Sequence, residues 1–213
     1  MKLVISGATG LVGSEVLRQA LADPAVEQVV TLTRRPLSVV NPKLKVHVLD
    51  DFLDYTSLGA DLRADACIWC LGVSQTAVGH DDYVRITHDY AVAAARALIQ
   101  ANQDLRFCFV SGARADPQER STVRYARIKG RTEKALRALS PNVTSFRPAF
   151  IRPPQGRKRP LVVTLYTPLA NVMDHFTDGF SVECTQLARC LLAVARHGTG
   201  DAVLDNAAIR RWR

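Results

Sequence analysis

The chain reads as an α/β protein built on a doubly wound parallel sheet, and three observations predict it. Short apolar or β-branched runs alternate with helix-like segments along most of its length. The first run passes into the first helix through glycines three apart, Gly7, Gly10 and Gly13. No internal repeat or low-complexity segment interrupts the alternation. Right-handed crossovers then place helices on both faces of the sheet.

In chain order, Met1 to Ser6 is the first strand and Ser14 to Leu21 the body of the first helix. Gln28 to Thr33 is a second strand, stopped by Arg34-Arg35-Pro36. Leu44 to Leu49 is a third, ending at Asp50-Asp51-Phe52, and Ala66 to Leu71 a fourth, ending at Gly72. A long helix is expected from Asp81 to Ala101, with Tyr83, Thr87, Tyr90, Ala91, Ala94 and Leu98 on one stripe and acidic residues at its positive end. Phe107 to Val110, a helix from Val123 to Leu139, and Val143 to Phe146 complete six strands. Pro153-Pro154-Gln155-Gly156 and Arg157-Lys158-Arg159 form an exposed loop; Leu161 to Met173 looks helical but for Pro168; Cys184 to His197 is amphipathic and capped by Gly198. Residues 1–150 are expected as the main core, with 151–213 a small part integrated with it.

The composition allows one full core: 213 residues, 47% hydrophobic. No apolar run is long enough to span a bilayer and no leader pattern opens the chain, so a cytoplasmic protein without a membrane partner is expected. The five cysteines, Cys67, Cys70, Cys108, Cys184 and Cys190, read as buried free thiols. Cys67 and Cys70 have C-x-x-C spacing, but three apart in a strand they face opposite ways, and no metal is expected. The net charge of +8 rests on 22 Arg and six Lys. Arginines such as Arg96, Arg120, Arg124, Arg127, Arg131 and Arg137 read as a solvated face, without the aromatic interleaving of a nucleic-acid binder. Arg157-Lys158-Arg159 and Arg210-Arg211-Arg213 are basic clusters without specific meaning.

A strand, a glycine turn and a helix form a place for a diphosphate. Gly7 permits the turn, Gly10 lets backbone approach the pyrophosphate, and Gly13 allows close helix–strand packing; Thr9, Leu11 and Val12 complete the cradle. A tight turn needs glycines without any ligand as well, so the position directly after an apolar strand is what favours a dinucleotide. At the second strand's end an acidic residue would hold a ribose hydroxyl, whereas Arg34 and Arg35 suit a 2′-phosphate, so the cofactor is expected to be NADP(H). Asp51 and Phe52 are placed to border the adenine, and Leu71, Gly72 and Val73 the adenosine side.

Chemistry is expected past the later strands. Ser111 follows the fifth, and Tyr125 and Lys129 lie one helical turn apart on the next helix. A lysine ammonium near the phenol would favour its ionised form and bring it toward a working range. Glu133, a turn further on, is expected to pair with Lys129 as a surface contact. His175, beside Phe176, either lines the cleft or is an ordinary packing residue.

Taken together, Gly7-x-x-Gly10-x-x-Gly13, Arg34-Arg35, Cys70-Leu71-Gly72, Ser111, Tyr125-x-x-x-Lys129-Gly130 and Phe146-Arg147-Pro148 resemble an atypical short-chain dehydrogenase/reductase, in the branch of the HIV-Tat-interacting, metastasis-suppressor oxidoreductase and its bacterial relatives. The resemblance covers about residues 2 to 155. It implies an NADP(H)-binding Rossmann fold, a catalytic set of Ser111, Tyr125 and Lys129, and an Arg147-Pro148 turn whose backbone touches the nicotinamide. Many members carry a second Ser or an Ala where this chain has Gly112. Two functions follow. One is a reductase with a small-molecule carbonyl substrate and Tyr125 as acid and base. The other is an NADP(H)-binding redox sensor with little turnover, acting through a protein partner or a second copy.

Overall fold

The computed structural model describes residues 1–154 and 181–212. His175, Phe176, the Arg157-Lys158-Arg159 cluster, the Leu161 to Met173 segment and Arg213 lie outside the described residues. Nine strands are placed among the described residues: β1 (Lys2–Ser6), β2 (Gln28–Thr33), β3 (Leu44–Val48), β4 (Ala66–Trp69), β5 (Arg106–Val110), β6 (Val143–Arg147), β7 (Phe150–Arg152), β8 (Ser181–Glu183) and β9 (Val203–Asp205). The helices are α1 (Leu11–Ala22), α2 (His80–Val84), α3 (Tyr90–Ala101), α4 (Arg124–Leu139), α5 (Cys184–His197) and α6 (Asn206–Arg211).

Seven strands form one parallel sheet in the order β3-β2-β1-β4-β5-β6-β9, and β7 and β8 form a separate parallel pair. The chain winds outward from β1 in one direction through β2 and β3, then crosses back so that β4 pairs on β1's other side. Leu3 lies beside Val29 on β2 and Ala66 on β4. This reversal opens a crevice above the carboxyl ends of β1 and β4, where ligands of such sheets bind.

Strand alternation sorts the core into two layers. Leu3, Ile5, Ile68, Cys108 and Phe146 pack with Val16 of α1 and Leu187 and Leu191 of α5. Val4, Val30, Cys67, Trp69, Phe107 and Phe109 face the other way, onto Ala91, Ala95 and Leu98 of α3 and Leu136 of α4. The alanines of α3 let that helix lie close to a face crowded by Trp69 and Phe107, whose rings sit 6.3 Å apart. α5 and β9 belong to this same body: α5 covers the sheet beside α1, and Val203 to Asp205 pair with Ser145 to Arg147.

Several expectations shift. The fourth strand stops at Trp69, so Cys70 lies past its end; there Ser6 Oγ accepts the backbone N–H groups of Cys70 and Leu71, both at 3.1 Å, and turns the chain out of the sheet. The long helix is three pieces, with a π turn over Arg85–Asp89 between α2 and α3, where one extra residue is taken up without ending the helical path. A seventh sheet strand, β9, was not among the six expected.

Candidate functional site

The glycine turn is held by its own packing. Gly7 has φ +67°, and a side-chain carbon there would lie 2.7–2.8 Å from the backbone of Cys70 and Leu71. One on Gly13 would lie 2.2 Å from the Gly7 carbonyl oxygen, so α1 approaches the turn as closely as backbone allows. Gly10 donates its N–H to Gly7 O at 2.9 Å and is otherwise exposed. α1 begins there with no capping side chain and no acidic residue in its first turn. The N–H groups of Leu11, Val12 and Gly13 thus start the helix without intrahelical partners, the donor set an anion meets at a helix start. The Val12 side chain itself is in the core.

Above this turn lies a cavity of about 360 Å³, lined by Gly7, Thr9, Arg34, Arg35, Phe52 and Leu71 among others. Arg34 and Arg35 are exposed and make no ion pair among the described residues. Phe52 is buried, its ring 5.5 Å from that of Tyr90, and presents an apolar wall. Asp51 instead faces Arg85 at 3.9 Å. Gly72 is exposed with open space around it, and Val73 is half-buried. A larger cavity, about 590 Å³, lies at the other end of the sheet, by Arg106, Asn142 and Gly200, where the strands begin. Sheets of this winding do not bind their nucleotide there.

Ser111, Tyr125 and Lys129 gather on three consecutive residues at the end of β5. Lys129 Nζ donates to Val110 O at 2.9 Å and sits 4.6 Å over the Phe109 ring. Ser111 Oγ is buried and has no hydrogen-bond partner among the described residues. The Tyr125 hydroxyl lies against Gly112, in the place a side-chain carbon of that residue would take. Burial pushes the Tyr125 phenol up to about 12, with Tyr83 and Glu133 adding to the rise. Burial also lowers the Lys129 ammonium to about 8, against the pull of Glu133 and Cys70.

Two expectations are corrected here. Lys129 does not bring the phenol down, because its hydrogen bond goes to the β5 carbonyl and burial dominates the phenol's surroundings. Glu133 is not a surface partner of Lys129: it is buried and takes Arg147 bidentately, Arg147 Nε at 3.0 and 3.2 Å and Nη2 at 2.5 Å. That fork fixes the residue before Pro148, whose own carbonyl accepts Ala113 N–H at 2.9 Å. Asn206 Oδ1 holds the next residue, accepting Ala149 N–H at 3.0 Å.

Ser6, Gln75, Tyr83 and Arg124 had no expected role in the site. Gln75, on the loop after β4, accepts Tyr125 N–H on its side-chain Oε1 at 3.0 Å and an Arg124 N–H on its main-chain oxygen. Arg124 also lies 5.6 Å over the Tyr83 ring, so it is no solvated arginine. No spacing reveals their partners, since each meets its partner across the fold.

The residues present fit a dinucleotide on three counts: an uncapped helix start beside a glycine turn, a cavity running from that turn to two unpaired arginines, and an orphan hydroxyl beside a phenol. Comparison with known proteins agrees. The NAD(P)H-binding family matches residues 7–197. The mitochondrial protein fmp52-1 of Aspergillus terreus is 30% identical over 166 residues, 75% of this chain and 70% of that protein. Rat HTATIP2 is 26% identical over 212 residues, 96% of this chain and 86% of that one. Among solved structures, a short-chain dehydrogenase/reductase family oxidoreductase from Burkholderia thailandensis superposes with a TM-score of 0.70 at 17% identity, over 96% of this chain and 90% of that one. The winding of the sheet, the glycine turn and the extent of these matches together show that the chain belongs to the NAD(P)H-binding family.

Proposed function

We propose that the protein is an NADP(H)-dependent oxidoreductase of the atypical short-chain dehydrogenase/reductase type, moving hydride to or from a small carbonyl or alcohol compound. The observation that carries this reading is the convergence on Val110-Ser111-Gly112 of the Lys129 ammonium, the orphan Ser111 hydroxyl and the Tyr125 phenol. The coenzyme, when bound, supplies or accepts the hydride. Tyr125 delivers its proton to the substrate oxygen as the carbonyl carbon is reduced, and takes the proton back from water afterwards. With the phenol at about 12 it is fully protonated at neutral pH, which suits an acid in the reductive direction better than a base in the oxidative one. Ser111 Oγ, lacking a partner, has a free donor for the same oxygen. Lys129 at about 8 stays mostly charged at pH 7 and adds positive potential beside the site.

Arg34 and Arg35 support NADP(H) over NAD(H), since both line the cavity above the turn and neither is spent on a carboxylate. A cytoplasmic location is part of this proposal, the relative from Aspergillus terreus being the one named as mitochondrial. Among the described residues, no helix is long and apolar enough to cross a membrane.

NADPH oxidation measured across a panel of small aldehydes and ketones tests the reading. Turnover with at least one compound is expected, with Tyr125→Phe lowering it by about 10²–10⁴ while coenzyme binding persists. An unchanged rate in Tyr125→Phe would remove Tyr125 from the chemistry. A second reading, a redox sensor with little turnover, is favoured by one observation: the ammonium serves the Val110 carbonyl and leaves the phenol's ionisation unaided. Tight NADPH binding with no turnover across the panel would decide for it.

A further inference from the structure

Gly112 follows Ser111 directly, and its backbone does not call for a glycine. The left-handed region is taken, among the described glycines, by Gly7, Gly59 and Gly198, not by Gly112. The requirement is for space. A side-chain carbon on Gly112 would lie 1.4 Å from Tyr125 Oη and 2.6 Å from Cζ, so the tip of the phenol occupies the volume that any side chain at 112 would need.

The root of the tyrosine is fixed independently. Its N–H is bonded to Gln75 Oε1 at 3.0 Å, and Arg124 beside it donates to the Gln75 main-chain oxygen. No side chain caps α4 from its own N-cap residue, Val123, so Gln75 does that work from another part of the fold. With the start of α4 held, the place of the hydroxyl depends on the side-chain torsions of Tyr125 and on the room left at 112.

We propose that Gly112 is a positioning residue for Tyr125: having no side chain, it seats the hydroxyl against the Ser111-Gly112 backbone, and any larger residue there expels the phenol from that seat. The catalytic meaning of the seat rests on the reading of Tyr125 as proton donor; the seat itself belongs to the protein without substrate. The clash an added methyl makes is with the far end of one side chain, and rotation of Tyr125 relieves it without moving backbone. Gly112→Ala therefore folds. It trades the phenol's burial for contact with water.

The groups facing the phenol are Tyr83 from α2 and Glu133 from its own helix, with Lys129 and Arg124 close by on α4. Removing burial, the main cause of the rise to about 12, brings the phenol toward the ordinary value of ~10.

The test is an ultraviolet tyrosinate titration of the free protein, each form read against its Tyr125→Phe counterpart while far-ultraviolet ellipticity monitors folding. At pH ~11 the ionised fraction of Tyr125 is expected to rise about tenfold from wild type to Gly112→Ala. An unchanged fraction in a folded variant overturns the proposal. Nuclear Overhauser contacts between the Gly112 α-protons and the Tyr125 ring, recorded on wild type at neutral pH, decide it without any variant: their presence is expected and their absence overturns the seat. If no carbonyl compound is ever reduced, the catalytic reading falls while contacts and titration still support the seat. If Tyr125→Phe abolishes turnover but Gly112→Ala leaves the titration unmoved, the seat falls and the catalytic reading stands.

Discussion

Asp61 shows how far a side chain's role departs from its neighbours in sequence. It sits on a 3₁₀ turn over Thr56–Leu62, yet it receives Lys2 Nζ at 2.9 Å from β1, and Lys45 Nζ at 2.5 Å and His47 Nε2 at 2.8 Å from β3. Burial pushes its carboxyl up, and hydrogen bonds from Lys45, Lys2 and His47 more than cancel that, leaving it well below the usual carboxylate range. Between the unfolded value of ~3.9 and the lower folded one, the unfolded chain binds more protons, so stability rises with pH there. The contribution is complete above about pH 5 and is lost as pH falls through the folded value. Asp61→Asn is expected to cost about 2–3 kcal/mol at pH 7 by denaturant unfolding, and less as the pH is taken below ~3. A gap between the two proteins that does not narrow in acid would contradict this assignment. The same lesson applies at Lys129 and Glu133. Their i, i+4 spacing was legible and their shared helix correct, but the partners, Val110 O and Arg147, come from β5 and β6.

At the scale of elements, the turn between β1 and α1 is the part in which local pattern and final geometry agree most closely. Glycine at position 7 meets a positive φ, and at position 13 a carbonyl oxygen too near for a methyl group. Gly13→Ala is expected to cost about 1–3 kcal/mol, since backbone rather than a side-chain tip must yield. The displaced turn should also lose the coenzyme-induced thermal shift; retention of the full shift would show that the turn does not hold the diphosphate. β2 was legible to the residue because its β-branched run ends at a proline, and α5 because its amphipathic stripe ends at Gly198, φ +72°. β9 was not. Three residues, Val203 to Asp205, carry no periodicity, and only pairing with Ser145 to Arg147 makes them a strand. Nor was the π turn legible, because the apolar stripe continues through it while the backbone takes up an extra residue.

For the whole molecule, the crevice lined by Arg34 and Arg35 is expected to prefer NADPH to NADH. A ligand that binds only the folded chain stabilises it by mass action, so NADPH and NADH can be ranked by thermal unfolding. A tenfold preference for NADPH at equal saturating concentration is worth about 1.4 kcal/mol, roughly 3–5 °C for a chain of this size. Replacing Arg34 and Arg35 by alanine is expected to erase that difference without lowering the melting temperature of the free protein, both being exposed. Equal shifts in wild type would remove the 2′-phosphate argument.

What the amino-acid order determined alone is the alternation of strand and helix and the glycine turn that opens it: periodicity and glycine spacing are local, and backbone sterics translate them directly into strand, turn and helix. Tertiary structure decided who meets whom. Gln75 reaches Tyr125 across 50 positions, Ser6 holds the chain leaving β4, and Arg147 takes Glu133 from its expected neighbour. Those pairings depend on distances that only the packed sheet sets, and with them the phenol's resting place against Gly112, since its burial is a property of the assembled fold and not of any stretch of sequence.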